Sequence, residues 1–320
     1  MAGPPDARSA RRPDKRAGER GFSIDGARFA APTATPGLHI VATPIGNLDD
    51  VSVRALKVLA GADHVFCEDT RVTRRLLERY RISARLGIYD DHRGPRARAA
   101  IMRDLEAGRS VALVSDAGTP LVSDPGFKLV REAREAGHPV FVVPGPSALT
   151  AAAACAGIAT DRLLFAGFLP TRAMARRRVI AELGRVTATL VIYESPRRTA
   201  ATLADLTKVL GPREAAVARE LTKMHEEVVR LPLDRLALRF TEAPARGEVV
   251  ILVAPAGDAE QAARETAAGG ALDGALEAAL AGSSLRDAVL QVAGQLGLAR
   301  AEVYARALEL KRRRGSDGPR

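Results

Sequence analysis

Short runs of β-branched apolar residues alternate along this chain with longer segments of helical period, and the alternation predicts strands and helices in turn. Strands read at residues 38–43, 64–68, 86–89, 111–115 and 140–143, with helices over 50–60, 71–80, 96–107 and 127–136 between them. Strands that are apolar at successive positions are buried on both faces, so this half predicts a parallel sheet covered by helices on either side. After a helical stretch at 148–156 the pattern resumes. Strands at 163–167, 189–193, 215–219, 227–231 and 248–253, with helices at 173–183 and 197–210, predict a second α/β unit.

The two ends read differently. Residues 1–36 hold five prolines and no apolar period, which predicts a disordered basic arm. An Ala/Gly/Glu-rich stretch over 257–281 reads as a linker. Beyond it, Ser284 is placed to cap a helix whose apolar face is Leu285, Ala288, Val289, Val292 and Leu296, with Gly297 as its stop. A second helix from Ala301 to Lys311 carries Val303, Tyr304 and Leu308, so residues 282–314 read as a helix-turn-helix-like domain, or as a packing pair. The expected division is therefore an arm (1–36), two α/β domains (37–150 and 151–256), a linker and a helical end.

Composition narrows the function. A chain of 320 residues that is 47% hydrophobic can bury a sizeable core. No apolar run approaches the eighteen or so residues of a membrane span, and residues 1–20 are too polar for a secretory signal, so a cytoplasmic protein is expected. Cys67 and Cys155 form no C-x-x-C pair or zinc-spaced cluster and read as small buried hydrophobes, with no metal implied. The net charge of +10 points to a polyanionic partner. Six basic residues in 1–20 and the run Lys311-Arg312-Arg313-Arg314 concentrate that charge in the tails, which suits nucleic acid.

Candidate chemistry gathers at the strand ends. Ser115-Asp116-Ala117-Gly118-Thr119-Pro120 and Pro144-Gly145-Pro146-Ser147 are glycine/proline loops, where a ligand can reach backbone N–H and C=O groups directly. Two such ends describe a crevice at the carboxyl edge of an open sheet. Thr43-Pro44-Ile45-Gly46-Asn47-Leu48 closes the first strand, and it fits neither the dinucleotide fingerprint nor the P-loop. Glu68-Asp69-Thr70-Arg71 either caps a helix or faces the crevice. Asp90-Asp91-His92-Arg93 sets an imidazole beside carboxylates that would raise its pKa toward that of a general base, or it is a solvated loop. Tyr193-Glu194-Ser195-Pro196-Arg197 and Arg219-Glu220-Leu221-Thr222-Lys223 bring charges of alternating sign to two further strand ends.

The ordered set TPIGNL, EDTR, SDAGTPLVSDPG, VPGPSA, GFLP, YESP and ARELTK resembles the ribosomal RNA small subunit methyltransferase I family, within the tetrapyrrole methylase superfamily, from about Leu38 to Ala254 and into the C-terminal helices. The resemblance implies two α/β domains of the tetrapyrrole methylase type with a small C-terminal helical domain, and S-adenosylmethionine held in the cleft between the α/β pair. It implies a homodimer that methylates the ribose 2′-hydroxyl of cytidine 1402 in the decoding centre of 16S rRNA, within the small subunit, releasing S-adenosylhomocysteine. Carried over position by position, the cofactor contacts fall on Pro44, Ala117, Gly118, Thr119, Val122, Ser147, Ala148, Glu194 and Leu221. Candidates for catalysis are His92, Asp69 and Glu220 as base, with Arg71, Arg219 and Lys223 gripping phosphate or ribose. Relatives often carry His-Asp-His where this chain has Asp90-Asp91-His92, which favours His92 over the first position. A tetrapyrrole C-methyltransferase and a non-catalytic RNA-binding assembly factor are the alternatives. The basic tails and the TPIGNL loop, in place of a glycine-richer one, speak against the tetrapyrrole enzyme.

Overall fold

The computed structural model describes residues 20–89 and 94–316; residues 90–93, and with them the candidate base His92, lie outside the described residues. The chain divides into two compact units, one ending at Pro255 and the other starting at Ala256.

A β-hairpin opens the first unit, with β1 (Gly21–Ile24) antiparallel to β2 (Ala27–Ala30). Its turn residues Asp25 and Gly26 have φ of +48° and +85°, the paired left-handed geometry that matches the twist of the flanking strands and suits Asp-Gly. Phe22 is 1% exposed and joins the core, while the Ser23 amide donates to the Tyr80 carbonyl at 2.7 Å. The expectation of a disordered arm through residue 36 therefore fails from residue 20 onward. The charge and proline content of that stretch mask an Asp-Gly turn between Phe22 and Phe29, and burial of Phe22 stabilises the hairpin by about 1.5–3 kcal/mol.

The first sheet contains β3 (Gly37–Val41), β4 (His64–Cys67), β5 (Leu86–Ile88), β6 (Ser110–Val114) and β7 (Val140–Val143), all parallel, in the order β5-β4-β6-β3-β7. Period-two alternation divides its side chains: Ala112 and Val114 of β6 face α1 (Val53–Gly61) and α2 (Thr70–Arg79), whereas Val111 and Leu113 face α3 (Gly94–Glu106) and α4 (Phe127–Glu135). Helix α1 begins at Val53 rather than at residue 50, because the Ser52 hydroxyl accepts from the Ala55 amide at 3.1 Å and caps it.

Helix α5 (Ala148–Cys155) spans the seam expected at residue 150 and leads to a second sheet. This sheet holds β8 (Leu163–Phe168), β9 (Thr189–Glu194), β10 (Glu214–Arg219), β11 (Glu227–Pro232) and β12 (Val249–Val253), in the order β11-β10-β12-β9-β8. Only β8 and β9 pair in parallel; the other neighbours are antiparallel. Val249, Ile251 and Val253 pack under α6 (Ala173–Leu183), α7 (Thr199–Leu210) and α8 (Leu233–Glu242), while Val250 and Leu252 meet α5 on the other face. Helix α8 was absent from the sequence expectation, although Leu233, Leu236 and Phe240 give it a buried face of helical spacing. Cys155 corrects another expectation: Cys67 is buried, but Cys155 sits exposed at the end of α5, because Ala152, Ala153 and Ala156 take the packed face.

The second unit consists of α9 (Asp258–Leu280), α10 (Leu285–Leu296) and α11 (Arg300–Ser316). The linker expected over 257–281 is helix α9. Its alanines favour helix strongly enough to carry Gly269, Gly270 and Gly274, and Leu272 and Leu276, one turn apart, are buried with Val289, Val292 and Val303. Ser284 caps α10, and Gly297 ends it with φ of +67°, as the sequence predicts.

Candidate active site

Every strand of the parallel sheet points its carboxyl end to one edge, and there the chain folds three loops together. The Thr43 amide donates to the Gly118 carbonyl at 2.8 Å and the Gly118 amide returns a bond at 3.0 Å, so the loop after β3 is stitched to the loop after β6. The Thr119 hydroxyl donates to the Pro146 carbonyl at 3.3 Å and so ties in the loop after β7. Gly118 has φ of +83°, and a Cβ there would meet Ile45 at 3.4 Å. Leu121 and Ser123 also hold positive φ, +74° and +64°, without being glycine. Such strain persists only where surrounding contacts enforce it, and it concentrates at functional sites.

The second sheet supplies the facing wall. The ends of β9 and β10 and the start of β12 share an edge, since Val249 pairs with both Glu194 and Arg219. Asn47 reaches across, its amide donating to the Thr222 hydroxyl at 3.1 Å. Behind this wall Glu220, at φ of +51°, accepts from Lys223 Nζ at 2.9 Å and from the Glu248 amide at 3.0 Å. Gly247 is obligatory here: its φ is +75°, and a Cβ would lie 2.0 Å from the Glu220 carboxylate.

Between the walls lies a cavity of about 490 Å³, within the size range of small-molecule sites. Eight of the nine expected cofactor positions line it: Ala117, Gly118, Thr119, Val122, Ser147, Ala148, Glu194 and Leu221. Pro44 does not; its neighbour Ile45 takes that place. The lining is peptide edge, apolar side chain and carboxylate, and among the described residues it includes no lysine, arginine or histidine. A flexible, net cationic molecule with an aromatic portion suits this lining, with Phe168 and Tyr193, whose ring centroids lie 5.8 Å apart, as its aromatic wall. S-adenosylmethionine has that chemistry.

The described candidate catalytic side chains, Asp69, Arg71, Arg219, Glu220 and Lys223, stand off the cavity. Asp69 caps α2, accepting from the Arg71 amide at 2.8 Å and from Arg71 Nε at 3.0 Å. The Arg71 guanidinium holds that carboxyl down at about 2. Lys223 likewise keeps Glu220 below the usual carboxylate range. Arg219 is engaged with Glu227 at 2.6 Å. These arrangements make Asp69 and Glu220 weak bases, because each is held in its ionised form by a cation.

Among the lining residues to which the sequence assigned no role of their own are Asp116, Tyr193 and Asp124. Asp116 accepts from the Asp69 amide at 3.1 Å. The Tyr193 hydroxyl accepts from the Leu149 amide at 3.1 Å, which pins α5 to β9. Asp124 stands in the strained loop, and burial pushes its carboxyl up to about 6. The signal for Asp124 was its place in Ser123-Asp124-Pro125-Gly126, a carboxylate inside a glycine/proline loop.

Residues 37–237 match the family model described as Tetrapyrrole (Corrin/Porphyrin) Methylases. The chain is 45% identical over 278 residues to ribosomal RNA small subunit methyltransferase I of Mesorhizobium japonicum, covering 86% of this chain and 92% of that one. It is 44% identical over 225 residues to the protein of the same name from Vibrio cholerae, covering 69% and 78%. Among solved structures, cobalt precorrin-4 methyltransferase superposes with a TM-score of 0.52 at 20% identity, over 68% of this chain and 94% of that one. Diphthine synthase gives 0.53 at 18% identity, over 68% and 89%. These two likenesses establish the fold.

Proposed function

The chain belongs to the ribosomal RNA small subunit methyltransferase I family of the tetrapyrrole methylases, and on that footing we propose that it transfers a methyl group from S-adenosylmethionine to a cytidine ribose 2′-hydroxyl of 16S rRNA. The single observation that carries the reading is the cavity between the two sheets, lined by eight of the nine expected cofactor positions. The donor supplies an electrophilic methyl carbon on a sulfonium. Ala117, Gly118 and Thr119 would hold it through the first sheet's loops, Ser147 and Ala148 through the start of α5, and Glu194 and Leu221 from the facing wall.

Positioning dominates this chemistry. Orienting two partners for in-line transfer is worth roughly 7–11 kcal/mol, whereas a positioned base adds about 10²–10⁴-fold. Of the three candidate bases, Asp69 and Glu220 are held ionised by cations, which leaves His92 for the proton of the 2′-hydroxyl. Arg71, whose side chain is 87% exposed, is suited to grip RNA phosphate. We place RNA docking on the basic residues of the tails and expect a cytoplasmic homodimer acting on the small subunit.

The test is incubation of the protein with a radiolabelled methyl donor and either small ribosomal subunits or a tetrapyrrole, followed by mapping of the modified nucleotide. Label on a cytidine ribose is the expected outcome. Label on the tetrapyrrole alone would overturn the RNA reading, and failure to bind the donor in calorimetry would favour a non-catalytic factor.

A further inference from the structure

This chain carries a net charge of +10, yet the side chains that line its central cavity are acidic wherever they are charged: Glu68, Asp116, Asp124, Glu194 and Glu248. Glu194 and Glu248 are neutralised locally. Glu194 is ion-paired with Arg198 at 3.3 Å and accepts from Thr202 at 2.6 Å, and Glu248 is ion-paired with Lys223 at 3.1 Å. Asp124 has no ion-pair partner among the described residues. The groups that act on it are the Ser115 hydroxyl and the Asp116 carboxylate, with Tyr193 facing it from β9.

Resting on the methyl-donor reading above, we propose that Asp124 senses the charge of the bound ligand, so that the cavity holds a sulfonium more tightly than the neutral thioether it becomes. The physics is charge pairing in a partly desolvated site. When the methyl carbon bonds to the ribose oxygen, the electrons of the S–CH₃ bond return to sulfur and the hydroxyl proton passes to a base. The positive charge at sulfur disappears, and with it the partner of Asp124. Burial already disfavours the ionised carboxyl, so the carboxyl readily takes up a proton when the product occupies the site. Below about pH 6 donor binding then expels a proton and product binding does not. The product is held less tightly, which favours its release.

Calorimetric titration of the full-length protein with S-adenosylmethionine and with S-adenosylhomocysteine between pH 4.5 and 7.5 tests this. The two ligands share amino, carboxyl and adenosine groups, so those titrations cancel in the ratio of affinities. In the wild type the preference for the sulfonium is expected to rise by roughly tenfold over that range, the effect of about one unit of coupling, and to level off above pH 6.5 or so. Asp124→Asn should abolish the rise and leave a lower, flat preference, whereas Asp116→Asn, whose site also accepts from the Asp69 amide, should keep the rise. Thermal melts check that both variants are folded. Parallel pH curves for the two ligands in the wild type, or a rise that survives Asp124→Asn, would overturn the proposal while leaving the donor site intact. Absence of binding by either ligand would instead remove the donor-site reading.

Discussion

The two sheets meet at one cavity but build their walls differently. In the parallel sheet, the loops after β3, β6 and β7 converge because every strand delivers its carboxyl end to the same edge, and the wall is mostly peptide. In the mixed sheet, two strand ends and one strand start share that edge, and its wall is braced from behind by ion pairs among Glu220, Lys223 and Glu248. Parallel topology gathers loops that backbone pairs and neutral hydroxyls suffice to tie, whereas the antiparallel wall is held by charged fastenings.

The largest effect should come from breaking the mixed sheet's outer frame. Asp205 on α7 receives Arg176 Nε at 2.8 Å and Arg177 Nε at 2.6 Å, and both Asp205 and Arg176 are 6% exposed at the side chain. Asp205→Ala strands a buried guanidinium and should lower stability by about 3–5 kcal/mol in urea unfolding. Arg177→Ala, at the exposed side of the same cluster, should lose under about 1 kcal/mol. Equal losses would mean that burial does not govern this frame.

Next comes the peptide wall. Gly118→Val must accept a strained φ and press on Ile45, so methylation should fall by at least about 10²-fold while the fold persists. Alanine variants of His92, Asp69 or Glu220 should fall less. A near-normal Gly118→Val protein would show that the shape of this loop does not govern transfer.

A smaller effect distinguishes stability from function within the cavity. The folded value of about 6 at Asp124 lies above its value of about 3.8 in the unfolded chain. Its effect is therefore absent below pH 3.8, grows as pH rises, and is a complete destabilisation above pH 6. After discounting for partial exposure, Asp124→Asn should gain about 1 kcal/mol at pH 7.5 in the ligand-free protein, and nothing at pH 3.5. Thermal melts at the two pH values read the difference.

The smallest is Asp69, an exposed cap whose carboxyl is held at about 2. A depressed carboxyl stabilises above its unfolded value and loses that contribution as pH falls through the folded one. Asp69→Ala should thus lower Tm slightly at pH 7 and by progressively less as pH falls from 4 toward 2.

Much of this was legible from the chain because the parallel sheet announces itself locally. Runs such as Val-Ala-Leu-Val at β6 and the loops that follow them set both the strands and the cavity edge. What escaped depended on pairing across the chain. The Asp25-Gly26 turn matters because the core receives Phe22 and the Tyr80 carbonyl receives Ser23. Helix α9 has too few large apolar residues to declare itself, and its burial rests on Leu272 and Leu276 meeting α10 and α11. The standing of Asp69, Glu220 and Arg219 was equally hidden, since their ionic partners decide whether they are bases or fasteners.

Timing during synthesis follows from the hairpin. Phe22 and Ser23 emerge from the ribosome early, but the Tyr80 carbonyl that receives Ser23 and the α1 and α2 side chains that cover Phe22 are made later. Strands β1 and β2 must therefore wait some forty residues of translation until α1 is complete, and some sixty until the Tyr80 carbonyl is made, before they are sealed.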